Sequence, residues 1–203
     1  MKKTLMAFAA GCIMLAGCGG TGSSILSGIL GNNGLSTAGS VLTSVLGLDK
    51  LSATQLVGSW HYSQPGCAFT SDNLLAQAGG EVAATQIKSK LASVYSSVGV
   101  SSSNTAFQFD NSGQFAGKLM GVPLSGTYTY SESTGEINMK ATLINLKGYI
   151  KGTTNGISLL FEGSKLLSIM QTVASMSGNG TLSTIGELSK NYNGLRLGFD
   201  MTN

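Results

Sequence analysis

Few side chains in this sequence of 203 residues could do chemistry. His61 is the single histidine, the three cysteines are Cys12, Cys18 and Cys67, and Asp and Glu together number nine. A Ser-His-Asp relay would have to be built on His61 alone, and no Gly-x-Ser-x-Gly elbow accompanies it. His61 follows Trp60 in an alternating stretch, so the imidazole turns outward if the indole faces a core. Metal ions want clustered His, Cys, Asp or Glu, and one histidine with scattered acids offers no such spacing. Glu132 and Glu136 form an acidic pair around a turn, where carboxylates are ordinarily solvated rather than poised as a glycosidase pair. The glycines contain no Gly-x-x-x-x-Gly-Lys-Ser/Thr phosphate loop, and they read as turn and bend glycines. The expectation is a protein that is not an enzyme and holds no metal and no cofactor.

The cysteines divide by position. The chain opens Met1-Lys2-Lys3, continues with an apolar run from Leu5 to Leu15, and reaches Ala16-Gly17-Cys18. That order of charge, apolar core and small residues is a secretory signal, and the run is about half the ~20 residues a transmembrane helix needs. Leu15-Ala16-Gly17-Cys18 resembles the bacterial lipobox, which implies a diacylglyceryl group on the Cys18 sulfur and cleavage just before it. Cys12 leaves with the signal. Cys67 then has no partner for an internal disulfide. It is either a nucleophile or a small buried apolar side chain, and without a His-Asn or His-Asp setting the buried reading is preferred.

Cleavage would also remove Lys2 and Lys3, leaving ten basic side chains against nine acidic, a formal charge of +1. With no Lys/Arg stripe, neither nucleic acid nor an anionic lipid surface is favoured as a partner. The membrane is reached through acyl chains, each methylene contributing ~0.8 kcal/mol. No acid follows Cys18 until Asp49. By resemblance to sorting signals that retain lipoproteins at the inner membrane or export them to the cell surface, this absence implies the outer membrane, with the domain facing the periplasm.

Three segments follow: residues 1–17 as signal peptide, 18–50 as lipidated cysteine and tether, and 51–203 as one domain able to bury a sizeable core. The tether is rich in Gly, Ser, Asn and Thr. Its two apolar echoes, from Ile25 and from Val41, read equally as short helical turns or as parts of a disordered stalk.

Within the domain, strand signals recur at Leu56–Ser63, Thr105–Asp110, Gln114–Met120, Ser125–Ser131, Glu136–Thr142, Leu146–Lys151, Gly156–Glu162 and Leu195–Met201. Most alternate. Phe107 and Phe109 oppose Gln108 and Asp110; Ile137 and Met139 oppose Asn138 and Lys140; Leu195, Leu197 and Phe199 oppose Arg196, Gly198 and Asp200. One apolar and one wet face mark an antiparallel sheet. Turn clusters at Asn111-Ser112-Gly113, Gly121-Val122-Pro123, Glu132–Gly135 and Thr153–Asn155 connect neighbours into an up-and-down meander. Helical insertions are predicted over Asp72–Val98, with Ala84, Ile87, Leu91, Val94 and Val98 inward, and over Ser164–Ser175, with Leu166, Ile169, Met170 and Val173 inward. A shorter one is predicted over Leu182–Lys190. The fold class is mainly β with helical insertions (α+β). The inward face collects Trp60, Phe107, Phe109, Phe115, Tyr128, Tyr130, Met139, Phe161, Phe199 and Met201. They form either an apolar pocket wall, with tyrosine hydroxyls orienting a ligand, or plain core beneath the helices.

Leu56-Val57-Gly58-Ser59-Trp60 resembles the Gly-x-Trp opening strand of lipocalin-like proteins, and eight candidate strands agree with it. Asp72-Asn73-Leu74-Leu75-Ala76, Leu124–Tyr130, Thr181–Ile185 and the Gly198-Phe199 ending resemble an uncharacterised family of Bacteroidetes lipoproteins with a lipocalin-like domain, over roughly residues 50 to 203. The resemblance implies a closed eight-stranded barrel with the tryptophan across its base, capped by helices, and transfers no functional residues. A 27-residue helix would be about 40 Å long, too long to lie inside such a barrel. Either Gly79-Gly80 breaks it, or it crosses a mouth or runs outside. Two functions stay open: binding a small apolar or amphipathic ligand, or acting as a structural module that holds an unknown protein partner at the membrane.

Overall fold

The computed structural model describes residues 50–70, 80–142, 144–176 and 194–203. The expected signal, Cys18, the expected tether as far as residue 49, the start expected for the first helix at Asp72 and the expected Leu182–Lys190 helix lie outside the described residues. The elements are α1 (Ala53–Leu56), β1 (Gly58–Phe69), α2 (Gly80–Ser97), β2 (Ala106–Phe109), β3 (Gln114–Leu119), β4 (Val122–Ser131), β5 (Glu136–Ala141), β6 (Asn145–Thr153), β7 (Gly156–Glu162), α3 (Gly163–Met176) and β8 (Leu195–Thr202). Each strand pairs antiparallel with the next, and β8 returns to β1, so the eight strands close into a barrel in meander order. Closure leaves no sheet edge exposed along most of its length.

Short-range chemistry sets the connections. Between β2 and β3, Asp110 accepts the backbone N–H groups of Ser112 and Gln114 and the Ser112 hydroxyl. These donors hold its carboxyl below the usual carboxylate range. The β3–β4 turn is one residue earlier than the expected Gly121-Val122-Pro123. Met120 and Gly121 both have positive φ, 53° and 83°, the demand of a two-residue type I′ hairpin, and Val122 and Pro123 already pair with Leu119 and Lys118.

The first strand also differs from expectation. Leu56 ends a capped helical turn: Ser52 accepts from the Gln55 amide, and Gln55 reaches back to the Ser52 amide. The strand then runs on to Phe69. Its pairing with β2 ends at His61, while that with β8 continues to Phe69 across an irregularity between Tyr62 and Gln64. Pro65 falls in the stretch that has lost its β2 neighbour, where a residue without an N–H is tolerated.

The register defines the barrel interior. Trp60 lies opposite Phe107, Phe109 opposite Phe115, Tyr128 opposite Met139, and Leu159 opposite Phe199, and these residues share one face. The other face is wet along β2 to β5, as expected. Along β7, β8 and β1 it is not: Ser158, Leu160, Asp200, Gly198 and Ala68 are buried as well. The expectation of one wet face fails at Asp200, where Lys88 of α2, Gln64 and Ser158 gather on the carboxylate. From α2, Tyr95 donates to the Gly198 carbonyl and Lys88 meets Asp200. The helix buries Ala84, Ile87, Leu91 and Val94 as its spacing predicts. In α3, Leu166, Ile169, Met170 and Val173 are buried, and the helix packs against β7 and β8.

Candidate functional site

Trp60, Phe107, Phe109, Phe115, Met139, Phe161, Phe199 and Met201 are all buried. Their rings gather in two groups. Phe109 lies 6.4 Å from Phe107, 6.4 Å from Phe115 and 5.1 Å from Tyr128 between ring centres. Phe199 lies 6.4 Å from Phe161, 5.9 Å from Tyr62 and 5.3 Å from Tyr95. These are favourable aromatic separations. Tyr128 and Tyr130 are half-buried, and their hydroxyls donate to the carbonyls of Asp110 and Leu51 at 2.6 and 2.8 Å. The Trp60 indole N–H donates to the Leu56 carbonyl at 2.9 Å.

A polar cluster that the sequence reading missed lies where α2 meets β8. Asp200 alternates with Phe199 and Met201, so its carboxylate leaves β8 on the face opposite the rings. It pairs with Lys88 at 2.8 Å, and both side chains are about a tenth exposed or less, 8% and 10%. Gln64 donates to the same oxygen at 3.2 Å, and the Ser158 hydroxyl donates to the other. A buried carboxylate with three donors is the arrangement burial requires. The one signal in the sequence is a lysine inside an apolar helix stripe, Ala84, Lys88, Leu91 and Tyr95.

Nearby groups feel this cluster. Burial pushes the Cys67 thiol up to about 12, Lys88 and Lys151 oppose the shift, and the Asp200 charge adds to it. Burial, then the Asp200 charge, pushes Tyr62 up to about 12. Burial raises Tyr95 well above its ordinary value. A thiol held in its neutral form is a poor nucleophile. His61, the expected outward residue, is exposed and on the alternate face from Trp60.

A groove of about 170 Å³ opens on the outer face of the sheet. Ala68, Phe69 and Leu160 give it an apolar floor, and Lys50, Lys151 and Arg196 bring positive charge. The Arg196 guanidinium carbon sits 3.3 Å above the centre of the Tyr149 ring. Thr134 and Gly135 of the β4–β5 turn border it. No sequence pattern pointed to this groove, because its cations come from separate strands and from the residue preceding the domain.

A family model for a lipocalin-like domain (DUF4923) matches residues 30–203. No curated protein matches. A solved structure with some similarity is the crystal structure of a DUF4847 family protein from Bacteroides vulgatus ATCC 8482, determined at 1.00 Å resolution. It is 16% identical, with a TM-score of 0.31, over 55% of this chain and 89% of that one.

Proposed function

This chain belongs to the DUF4923 family of lipocalin-like domains, and on that premise we propose that its mature form is a non-enzymatic envelope lipoprotein that binds a small apolar or amphipathic ligand. The observation that carries the reading is the closed eight-stranded barrel with an interior face of Phe107, Phe109, Met139, Phe161 and Phe199, all buried. A ligand entering it would part the two ring groups and replace ring–ring contacts with its own. The burial of Cys67, whose thiol is pushed up to about 12, supports the non-enzymatic part. Lipidation at Cys18 and attachment to the outer membrane, domain toward the periplasm, complete the proposal.

A structural module holding a protein partner would need a contiguous apolar patch on its surface. The large exposed apolar side chains among the described residues are Val57, Val82 and Met176. They sit before β1, on α2 and at the end of α3.

The test is native mass spectrometry of the full lipoprotein purified from its own membranes, with solvent extraction alongside. A carried small molecule is expected. A single unliganded mass, together with no binding of an apolar fluorescent probe, would sink the ligand reading. Cys18→Ala should move the protein from the membrane to the soluble fraction. Protease added to intact cells should leave the domain whole until the outer membrane is opened.

A further inference from the structure

We propose that the outer groove bounded by Arg196, Lys151 and Lys50 is a binding site for an oxyanion, a carboxylate or phosphate group. It goes beyond the ligand reading of the barrel, because groove and interior lie on opposite faces of the sheet. The register places Tyr149 opposite Leu160 and Ala68 opposite Arg196, all alternating with the inward Ile150, Phe161, Leu197 and Cys67.

Charge argues for the anion. Three cations line the groove, and none of its lining residues is Asp or Glu. Two acids bear on Arg196: Glu162, and Glu136, whose carboxyl is lowered by Asn138 and Lys147 and also by the Arg196 charge. Neither forms an ion pair with Arg196 among the described residues. Glu162 is its cross-strand partner on β7, and Glu136 pairs with Lys147 at 2.9 Å. Arg196 is braced by the Tyr149 face, which stabilises the cation without neutralising it. A guanidinium so held keeps its planar fork of donors, the geometry that recognises carboxylate and phosphate.

Size sets the class of occupant. About 170 Å³ is below the ~300 Å³ of ordinary small-molecule pockets, so it takes a headgroup rather than a whole lipid. Ala68, Phe69 and Leu160 then offer contact to the first carbons of an attached chain.

The experiment titrates the full lipoprotein, in neutral detergent, with inorganic phosphate, butyl phosphate and butanol by calorimetry. Saturable binding of at least one phosphate probe and none of butanol is expected. Arg196→Gln should weaken it about tenfold or more, the scale of a lost hydrogen bond to a charged group. Arg196→Lys, which keeps charge but loses the fork, should fall between. Phosphate and butyl phosphate binding alike would assign a free anion; butyl phosphate binding about tenfold tighter would assign an amphiphile's headgroup. No saturable binding of either phosphate, or wild-type affinity in Arg196→Gln, overturns the proposal. Should Arg196→Gln melt early, Arg196→Lys and the exposed Lys50→Gln decide the matter: unchanged affinity in both overturns it.

Discussion

Gly66 vacates the space into which the Asp200 carboxylate settles. A Cβ on Gly66 would stand 2.9 Å from Asp200 Oδ1, 2.9 Å from Leu160 Cδ2 and 3.1 Å from the Phe199 carbonyl carbon. Because β1 carries no side chain there, the carboxylate can lie against it and still meet Lys88, Gln64 and Ser158.

Gly66→Ala therefore forces a group held by three donors to move. A cost of about 1–3 kcal/mol is expected, the usual range for overpacking, read as a lower urea midpoint. In an Asp200→Ala background the same change should cost less. Equal losses in both backgrounds would show that the glycine serves Leu160 or the backbone and not the carboxylate.

The Lys88–Asp200 pair should be far more costly to break than the other ion pair between described residues. Lys147 and Glu136 lie 2.9 Å apart with side chains 60% and 29% exposed, and such pairs contribute about 0–1 kcal/mol. Lys88→Met leaves a buried carboxylate without its cation, which costs about 3–5 kcal/mol. The double variant Lys88→Met/Asp200→Asn should recover part of this. Double-mutant cycles under urea measure both couplings. A coupling at the buried pair no larger than that at Lys147–Glu136 would contradict its role in pinning α2.

The legible part of the fold was the part with a local period. Phe107 and Phe109, or Ile137 and Met139, announce half-buried strands because one neighbour faces water. The α2 and α3 stripes were legible for the same reason. What failed required knowledge of what covers each face. Asp200 alternates with apolar residues as a solvent-facing acid would, yet Lys88, 112 positions away, closes over it together with Gln64 and Ser158. Ile157 to Phe161 are buried on both faces, so burial there is not periodic. Leu56 reads as strand by composition, yet the Ser52–Gln55 capping box makes it the end of a helical turn. The groove left no trace in the sequence, since Arg196 and Tyr149 meet only across β7, through the register of three strands.

Alkaline pH should destabilise the fold through Cys67 and Tyr62. Their ordinary values of 9.0 and 10.0 rise to about 12 in the folded chain. Between those limits the unfolded chain gives up protons that the folded chain keeps, so stability falls as pH rises. A group fully within its window contributes a slope of about 1.4 kcal/mol per pH unit. Tyr62 is half-buried and contributes less than that. Cys67→Ala should flatten the fall in urea midpoint between about pH 9 and 12, leaving the shares of Tyr62 and of Tyr95, which burial also raises. A variant as alkali-sensitive as the wild type would mean that thiol burial is not the cause. In the wild type, iodoacetamide at about pH 8 should label Cys67 only after denaturant is added.

Trp60 reports on α1, and the last prediction uses it. The single tryptophan is 7% exposed, and its indole N–H bonds the Leu56 carbonyl at the end of α1. A four-residue helix has too few internal hydrogen bonds to hold itself. It is held from outside by the Ser52 cap, by Glu132 accepting the Ala53 amide at 2.6 Å, and by Tyr130 donating to Leu51. Ser52→Ala removes the cap, at about 0.5–2 kcal/mol. If the cap keeps Leu56 over the indole, acrylamide should quench Trp60 more strongly in Ser52→Ala than in wild type, under conditions where both remain folded. Trp60→Phe keeps an aromatic side chain but removes the indole N–H and part of the buried volume, leaving the Leu56 carbonyl without this donor, at about 1–3 kcal/mol. Combined with Ser52→Ala it should cost less than the two losses added, because each change loosens the same turn. Full additivity and unchanged quenching would mean that α1 and Trp60 are held independently, with the indole kept in place by Phe107 across the strand pair.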